Sequence, residues 1–337
     1  MKAVAYQDAL PIQHPKSLQD IELPAPVATG RDLLVSVKAI SVNPVDTKVR
    51  MSTKPTNGDW KVLGWDAAGV VHSVGANVTA FKPGDCVWYA GSITRPGSYS
   101  ELQLVDERIV GKMPTSLDFA TAAALPLTTL TAWEMLFDRL NIPTNNKSLG
   151  KSILIIGAAG GVGSIMVQLA SRLSNLIVIA TASRPESQSW VKKLGAHHVI
   201  DHNKGIVDEL ARVGIPNPEY IVSLTQTNQH FAQIAEAIAP QGKFGLIDDP
   251  EPFDVRLLKR KSVSLHWELM FTRSLFNTSD LIRQHKILTE VADLVNTGII
   301  QTTVGEHFGT INAVNLKRAH ALIESGKSRG KIVLEGF

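Results

Sequence analysis

The sequence predicts an α/β fold in which a central, doubly wound parallel sheet is joined to a mostly antiparallel β domain. Three observations carry this. Strand-like apolar runs alternate with helical patterns from Ser152 to about Trp267. A glycine-rich turn follows the first of those runs directly. The first 125 residues instead show short β-branched runs broken by turn signals.

Length and composition set the frame. The 337 residues exceed one ordinary core, so about two domains are expected. Hydrophobic residues at 44%, charged residues at 19% and 25 glycines fit a globular protein. The longest apolar runs, such as Ser152–Ile156 and Leu176–Ala180, are far too short to span a bilayer. Met1-Lys2-Ala3-Val4-Ala5-Tyr6 does not open a secretory signal, so a cytoplasmic protein without membrane association is expected. One cysteine, Cys86, excludes an intramolecular disulfide framework and a four-cysteine zinc site. The net charge of +3 is small, and no basic stripe or reading motif points to nucleic acid.

In the first 125 residues, Leu33–Ile40 alternates and Gly69–Val74 is a short β-branched run. Turn signals recur at Pro24–Pro26, Asn57-Gly58, Lys82-Pro83-Gly84-Asp85 and Arg95-Pro96-Gly97. The central region then offers six strands: Ser152–Ile156, Leu176–Thr181, His197–Ile200, Tyr220–Leu224, Lys243–Ile247 and Ser262–His266. Val162, Ile165, Met166, Leu169, Ala170 and Leu173 place apolar side chains on one face of an intervening helix. Pro185 suits the first turn of the next helix, and Gly195 suits its C-terminal cap after Leu194. Phe231, Ile234, Ala235 and Ile238 repeat the pattern before Pro240-Gln241-Gly242. Strands alternating with helices imply parallel pairing with crossover helices on both faces. After about Phe276 come a helical stretch at Asp280–Val295, alternation at Thr303–Phe308, a helix at Asn315–Ser325 and a closing strand at Lys331–Leu334. This tail is expected to return to the first domain.

The sharpest motif is Ile155-Ile156-Gly157-Ala158-Ala159-Gly160-Gly161-Val162-Gly163. Glycine is needed where the backbone turns tightly and where a pyrophosphate approaches main-chain N–H groups, and Gly163 would let the helix pack closely on the strand. Ala158 stands at the first position of the GxGxxG register, so the strand–turn–helix context carries the argument. It predicts dinucleotide contacts from Ala159, Gly160, Gly161, Val162 and Gly163. About 20 residues on, an acid would bind a ribose 2′-hydroxyl and repel a 2′-phosphate. The chain instead reads Thr181-Ala182-Ser183-Arg184-Pro185-Glu186. Ser183 and Arg184 can donate to a phosphate, and His202 after the third strand could add a donor, so NADPH is the expected cofactor. The plain alternative is a solvated Arg184 that begins a helix.

The glycine turn, the segment Pro126-Leu127-Thr128-Thr129-Leu130-Thr131-Ala132-Trp133-Glu134 and Ser41-Val42-Asn43-Pro44-Val45-Asp46-Thr47 together resemble the medium-chain dehydrogenase/reductases. Gly64-Trp65-Asp66-Ala67-Ala68-Gly69-Val70-Val71 and Lys82-Pro83-Gly84-Asp85-Cys86-Val87 are similar to the family's β-domain landmarks, in order. The nearest branch is the quinone oxidoreductases, including zinc-type alcohol dehydrogenase-like proteins that have lost zinc. The resemblance covers essentially the whole chain. It implies a GroES-like domain formed by residues 1–125 and 271–337 around a Rossmann domain at 126–270.

The departures bear on the chemistry. In zinc-dependent relatives a cysteine matches Asn43, and a histidine followed by a glutamate matches Trp65-Asp66. A catalytic zinc needs about three protein ligands of the His, Cys or carboxylate type. Asn43 and Trp65 cannot serve and Asp66 alone is inadequate, so no metal site is expected. Cys86 reads as a small buried residue. By resemblance, Asn43 lies beside the nicotinamide and can donate to a substrate oxygen. Asp46, one helical turn later, would anchor a ribose or substrate hydroxyl, or simply cap the helix. Thr129 matches a residue that hydrogen-bonds the cofactor near the nicotinamide. Lys331 matches a basic residue near the pyrophosphate, with a surface charge as the alternative.

Trp65, Trp88, Trp267 and Phe271 are candidates to line a planar pocket, with core packing as the competing reading. Tyr89 is a candidate proton donor, and solvent serves as well. The expected reaction is hydride delivery from NADPH to a quinone, enone or other small carbonyl. The alternatives are alcohol oxidation with NAD(P), and a cofactor-binding redox sensor or structural protein with little turnover. By resemblance a homodimer is expected, joined through the edge strand 262–266.

Overall fold

The structure is a computed structural model that describes residues 1–144, 148 and 150–337. The chain forms two compact units, one of residues 1–130 and 271–337, the other of residues 131–270.

The first unit begins with strands β1 (Lys2–Tyr6), β2 (Gln19–Glu22) and β3 (Asp32–Val42), then helix α1 (Pro44–Ser52). Strands β4 (Lys61–Val62), β5 (Ala67–Val74), β6 (Cys86–Tyr89), β7 (Leu102–Asp106) and β8 (Val110–Lys112) follow, then helices α2 (Phe119–Ala123) and α3 (Pro126–Trp133). The second unit contains β9 (Ser152–Ile156), α4 (Gly161–Leu173), β10 (Ile177–Thr181), α5 (Pro185–Leu194), β11 (His198–Ile200) and α6 (Ile206–Arg212). It continues through β12 (Tyr220–Ser223), α7 (Thr227–Ala237), β13 (Lys243–Leu246) and β14 (Ser264–Trp267). The chain closes with α8 (Thr272–Leu275), α9 (Arg283–Asn296), β15 (Val304–His307), α10 (Ala313–Glu324) and β16 (Lys331–Glu335), all in the first unit.

In the first unit β3 organises a seven-stranded sheet ordered β15-β16-β3-β5-β6-β8, with β7 also paired to β3. Eleven residues long, β3 reaches β7 with its first half and β16 with its second, antiparallel in both cases. Ile332 pairs with Val42 and Ala67 with Ile40. The C-terminal end of β3 therefore meets the N-terminal ends of β5 and β16. A smaller sheet runs β2-β1-β4.

The second unit is a parallel six-stranded sheet in the order β11-β10-β9-β12-β13-β14, which is 3-2-1-4-5-6 in its own strands. This is the order of a doubly wound dinucleotide-binding fold. Leu154, Ile156, Ile179, Ile221 and Phe244 from the strands pack with Leu210, Phe231 and Ile234 from the helices in one buried cluster. As expected, α5 begins at Pro185 and ends against Gly195, whose φ of 116° only glycine adopts cheaply. The last strand differs from expectation, running Ser264–Trp267 rather than from Ser262. A short 3₁₀ segment, Val255–Lys261, precedes it, and Ser262 closes that segment at φ 52°, a left-handed conformation a strand cannot contain. Among the described residues no helix is long and apolar enough to cross a membrane.

Candidate active site

Sheet order creates the polar centre of the first unit. Asn43 follows β3, Asp66 precedes β5, and Lys331 opens β16, so three adjacent strands bring them together. Asp66 is fully buried. Its Oδ2 accepts from Ser41 Oγ at 2.7 Å and Asn43 Nδ2 at 3.2 Å, and lies 3.2 Å from Lys331 Nζ. Its Oδ1 accepts from the Leu127 N–H at 3.2 Å. Lys331 is 2% exposed and also donates to Asn43 Oδ1 and, at 3.1 Å, to Val42 O. Burial raises the Asp66 carboxyl above its ordinary range and lowers the Lys331 ammonium, and the attraction between the two opposes both shifts.

Asp46 forms the second half of the centre. Pro44 starts α1 and fixes an extended Asn43 before it, at φ −125°. Asp46 then stands at the third helical position, where its Oδ2 accepts from the Asn43 N–H at 2.7 Å. The same oxygen accepts from Tyr99 Oη at 3.0 Å. Tyr99 Oη is 3.2 Å from His320 Nε2, and Arg50 Nε donates to His320 Nδ1 at 3.4 Å. With Nδ1 accepting, His320 carries its proton on Nε2 and donates to Tyr99. Burial, aided by the Arg50 charge, lowers His320 to about 3, so it stays neutral. Asp46 Oδ1 is buried with no hydrogen-bond partner among the described residues. Burial, the largest effect, raises its carboxyl to about 7.

Several expectations change here. Both N–H directions of the Asn43 side chain are engaged, by Asp66 Oδ2 and, at 3.4 Å, by Ser41 O. Asn43 therefore holds the buried network together rather than presenting a free donor to a substrate. Lys331 is neither a surface charge nor an open phosphate donor, because its three N–H groups already meet three oxygens. Trp65, Trp88, Tyr89 and Phe271 are buried, as core packing requires. Trp65 donates Nε1 to Ser92 O at 3.0 Å and meets Phe271 edge-on at 6.2 Å. Trp88 lies against Gly111, where a Cβ would come within 2.8 Å of the indole nitrogen. Tyr89 Oη has no partner among the described residues, and burial raises its pKa, so it holds its proton tightly. Cys86, expected to be buried, is exposed.

In the second unit, Trp267 is half-exposed at the end of the edge strand. The cofactor candidates gather at the C-terminal ends of β9, β10 and β11. Gly157 turns at φ 81°, and its N–H donates to Thr181 Oγ1 at 3.0 Å. Gly160 precedes α4 without a side-chain cap, so the first turn at Gly161, Val162 and Gly163, beside Ala159, has the N–H groups that a helix start leaves without intrahelical acceptors. A Cβ on Gly163 would lie 2.5 Å from the Ala158 backbone, so helix and turn touch there. Ser183 and Arg184 follow β10, and Arg184 Nε lies 3.6 Å from Glu186 on a half-exposed side chain. The backbone bond from Ala182 N to Ile200 O at 3.0 Å sets them beside the chain entering His202. His202 meets His230 edge-on at 5.7 Å. Thr129, in the first unit, has a buried Oγ1 with no hydrogen-bond partner among the described residues.

These groups fit a phosphorylated dinucleotide: a helix N-terminus for the pyrophosphate and an arginine with a serine for a further phosphate. Zinc does not fit. Asn43 offers one amide, the Trp65 indole nitrogen is a donor, and a lysine occupies the carboxylate. Among the described residues no group of three or more His, Cys, Asp or Glu side chains is placed to hold a metal. Sequence reasoning missed Ser41, Tyr99, His320 and Arg50 in this centre. None of these four carried a local signal, whereas Asn43, Asp46, Asp66 and Lys331 lie in segments the sequence already singled out.

The alcohol dehydrogenase GroES-like domain family matches residues 29–115, and the zinc-binding dehydrogenase family matches residues 194–334. A zinc-type alcohol dehydrogenase-like protein of Staphylococcus aureus is 39% identical over 336 residues, 99% of each chain. A Rhizobium etli CFN 42 protein, described as a candidate zinc-dependent alcohol dehydrogenase, is 58% identical with a TM-score of 0.96, covering 100% of this chain and 98% of its own. A mycobacterial protein solved in complex with NADPH is 26% identical with a TM-score of 0.84, over 99% of both chains.

Proposed function

This chain belongs to the medium-chain dehydrogenase/reductase superfamily, among its zinc-type alcohol dehydrogenase-like proteins, and on that premise we propose an NADPH-dependent, metal-independent reductase of quinones or α,β-unsaturated carbonyls. The observation that carries this reading is the buried Lys331–Asp66 pair at the matching zinc position, in a chain that keeps its glycine turn.

A bound nicotinamide supplies the hydride. The first-turn N–H groups at Gly161, Val162 and Gly163 hold the pyrophosphate, and Ser183, Arg184 and His202 hold the 2′-phosphate. The NADPH bound by the mycobacterial relative supports that choice. Asp46 Oδ1, buried and unpartnered, accepts a ribose or substrate hydroxyl, and Thr129 Oγ1 hydrogen-bonds near the nicotinamide. Asn43 positions Asp46 through its backbone N–H rather than touching the substrate itself.

The substrate class follows from the side chains at the zinc-matching position, where Asn43, Trp65 and a lysine-paired Asp66 make no ligand set for a Lewis acid. Without a Lewis acid, the negative charge that develops on oxygen must be dispersed by the substrate. Quinones and enones do this by conjugation, whereas an unactivated ketone concentrates the charge on one atom. With Tyr89 holding its proton, the resulting anion is protonated by solvent. A cytoplasmic homodimer is the corresponding physical form. The name of the Rhizobium etli relative supports a second reading, zinc-dependent alcohol oxidation. A spectrophotometric panel decides between them. NADPH oxidation should be faster with quinones and enones than with simple aldehydes. Turnover confined to alcohols or aldehydes would reject the proposal.

A further inference from the structure

The name of the zinc-binding dehydrogenase family and the side chains of this site disagree, and the disagreement has a specific physical origin. We propose that the Lys331 ammonium is a built-in cation that neutralises Asp66 and orients Asn43 from within the chain, and that it closes this site to zinc. The inference rests on the metal-independent part of the proposed function, and its tests read metal content and folding rather than turnover.

The geometry is that of a filled site. An ammonium has three donors and no acceptor, and here its acceptors are Val42 O, Asn43 Oδ1 and Asp66 Oδ2. The carboxylate is equally complete, with Ser41, Asn43 and Lys331 on one oxygen and the Leu127 N–H on the other. A divalent ion seeking Asp66 would meet a positive charge 3.2 Å from the oxygen it needs. In exchange it would gain one carboxylate and one amide oxygen, too few ligands to replace its water shell. The register of β16 on β3 explains why the lysine reaches this place. Ile332 opposite Val42 sets residue 331 beside the end of β3, where residue 43 begins its turn. A buried charge pair costs much when one partner is lost and little when both are replaced together, which makes the claim testable.

Zinc is the first probe. Purified full-length protein, stripped with chelator, is incubated with excess zinc chloride, desalted and assayed for metal. The expected result is no stoichiometric zinc and no zinc-dependent rise in melting temperature. One zinc per chain that disappears in Asp66→Asn would overturn both this inference and the metal-independent reading. The second probe is a double-mutant cycle in melting temperature. Lys331→Met should lower Tm by on the order of 10 °C. Lys331→Met combined with Asp66→Asn should recover at least half of that loss. If Lys331→Met does not fold and the double variant does, the inference holds. If Lys331→Met melts like the wild type, or the double variant is as damaged as the single, the ammonium is not the internal cation. In either case, zinc-free wild-type protein would leave the metal-independent reading standing.

Discussion

The Lys331 ammonium stands 3.2 Å from Asp66 Oδ2, with both side chains closed to solvent. This one relationship ties the C-terminal strand to the loop before β5 and occupies the carboxylate that a metal would require. The remaining polar groups of the site then divide between support and binding. Asn43, Ser41 and Tyr99 are engaged internally, whereas Asp46 Oδ1 and Thr129 Oγ1 are buried without partners among the described residues.

The cofactor preference is tested at Arg184. Losing a charge-assisted hydrogen bond costs about 1.5–3 kcal/mol, or roughly ten- to hundredfold in affinity. Arg184→Ala should weaken NADPH binding by that factor and leave NADH binding nearly unchanged. Calorimetry that finds equal losses for both cofactors would remove the 2′-phosphate assignment.

Gly163 tests the packing of the glycine turn. Its Cβ would come within 2.5 Å of backbone atoms of Ala158, and backbone cannot yield as a flexible side chain can. Overpacking of this kind costs about 1–3 kcal/mol. Gly163→Ala should lower Tm by roughly 2–10 °C and weaken both NADPH and NADH. Unchanged melting and binding would mean that α4 shifts freely against the turn.

Asp46 sets a pH dependence whose sign follows from its environment. Burial raises its carboxyl from the ordinary carboxylate range to about 7, so the folded chain binds the proton more tightly than the unfolded chain. Its contribution to stability is complete below about pH 4 and is lost as pH rises through 7. Tm measured from pH 4 to 8 should therefore fall more steeply for the wild type than for Asp46→Asn, which cannot titrate there. Parallel curves would show that residue 46 does not titrate in this window.

Self-association is tested at the open edge of the six-stranded sheet. Among the described residues β14 pairs only with β13, and Trp267 and Leu269 beside it are 52% and 53% exposed. A homodimer that pairs two copies of β14 across a twofold axis would cover them. Light scattering at micromolar concentration should give a dimer for the wild type and a smaller mass for Trp267→Lys. A wild-type monomer would reject this surface.

The second unit was legible because its signals are local. The apolar run Ser152–Ile156, the glycines after it and the helical stripe from Val162 to Leu173 are neighbours in sequence and in space. Pro185 and Gly195 likewise act within one helix. Several members of the polar centre were named from matching motifs, but their mutual contacts were not legible, because sheet order assembles them. No spacing rule connects residues 43, 66 and 331, or links Arg50 to His320. Asn43 and Trp65 were visible as departures from the zinc-ligand pattern, but the contact of Lys331 with Asp66 was not. The aromatics were ambiguous for a related reason. Trp88 and Tyr89 are adjacent on β6 and Trp65 lies before β5, and nothing in their sequence neighbours separates a core position from a pocket wall, whereas the structure buries all three.

Carbonyl reduction by NADPH without a metal, as proposed, can be measured on zinc-free protein. Its most direct measurement is the rate of NADPH oxidation with a quinone or enone substrate, on protein dialysed against a strong chelator and assayed for residual zinc. Turnover should be undiminished in zinc-free protein, and added zinc should not raise it. Activity that is lost with the metal and restored by one equivalent of zinc per chain would mean that the reaction depends on zinc.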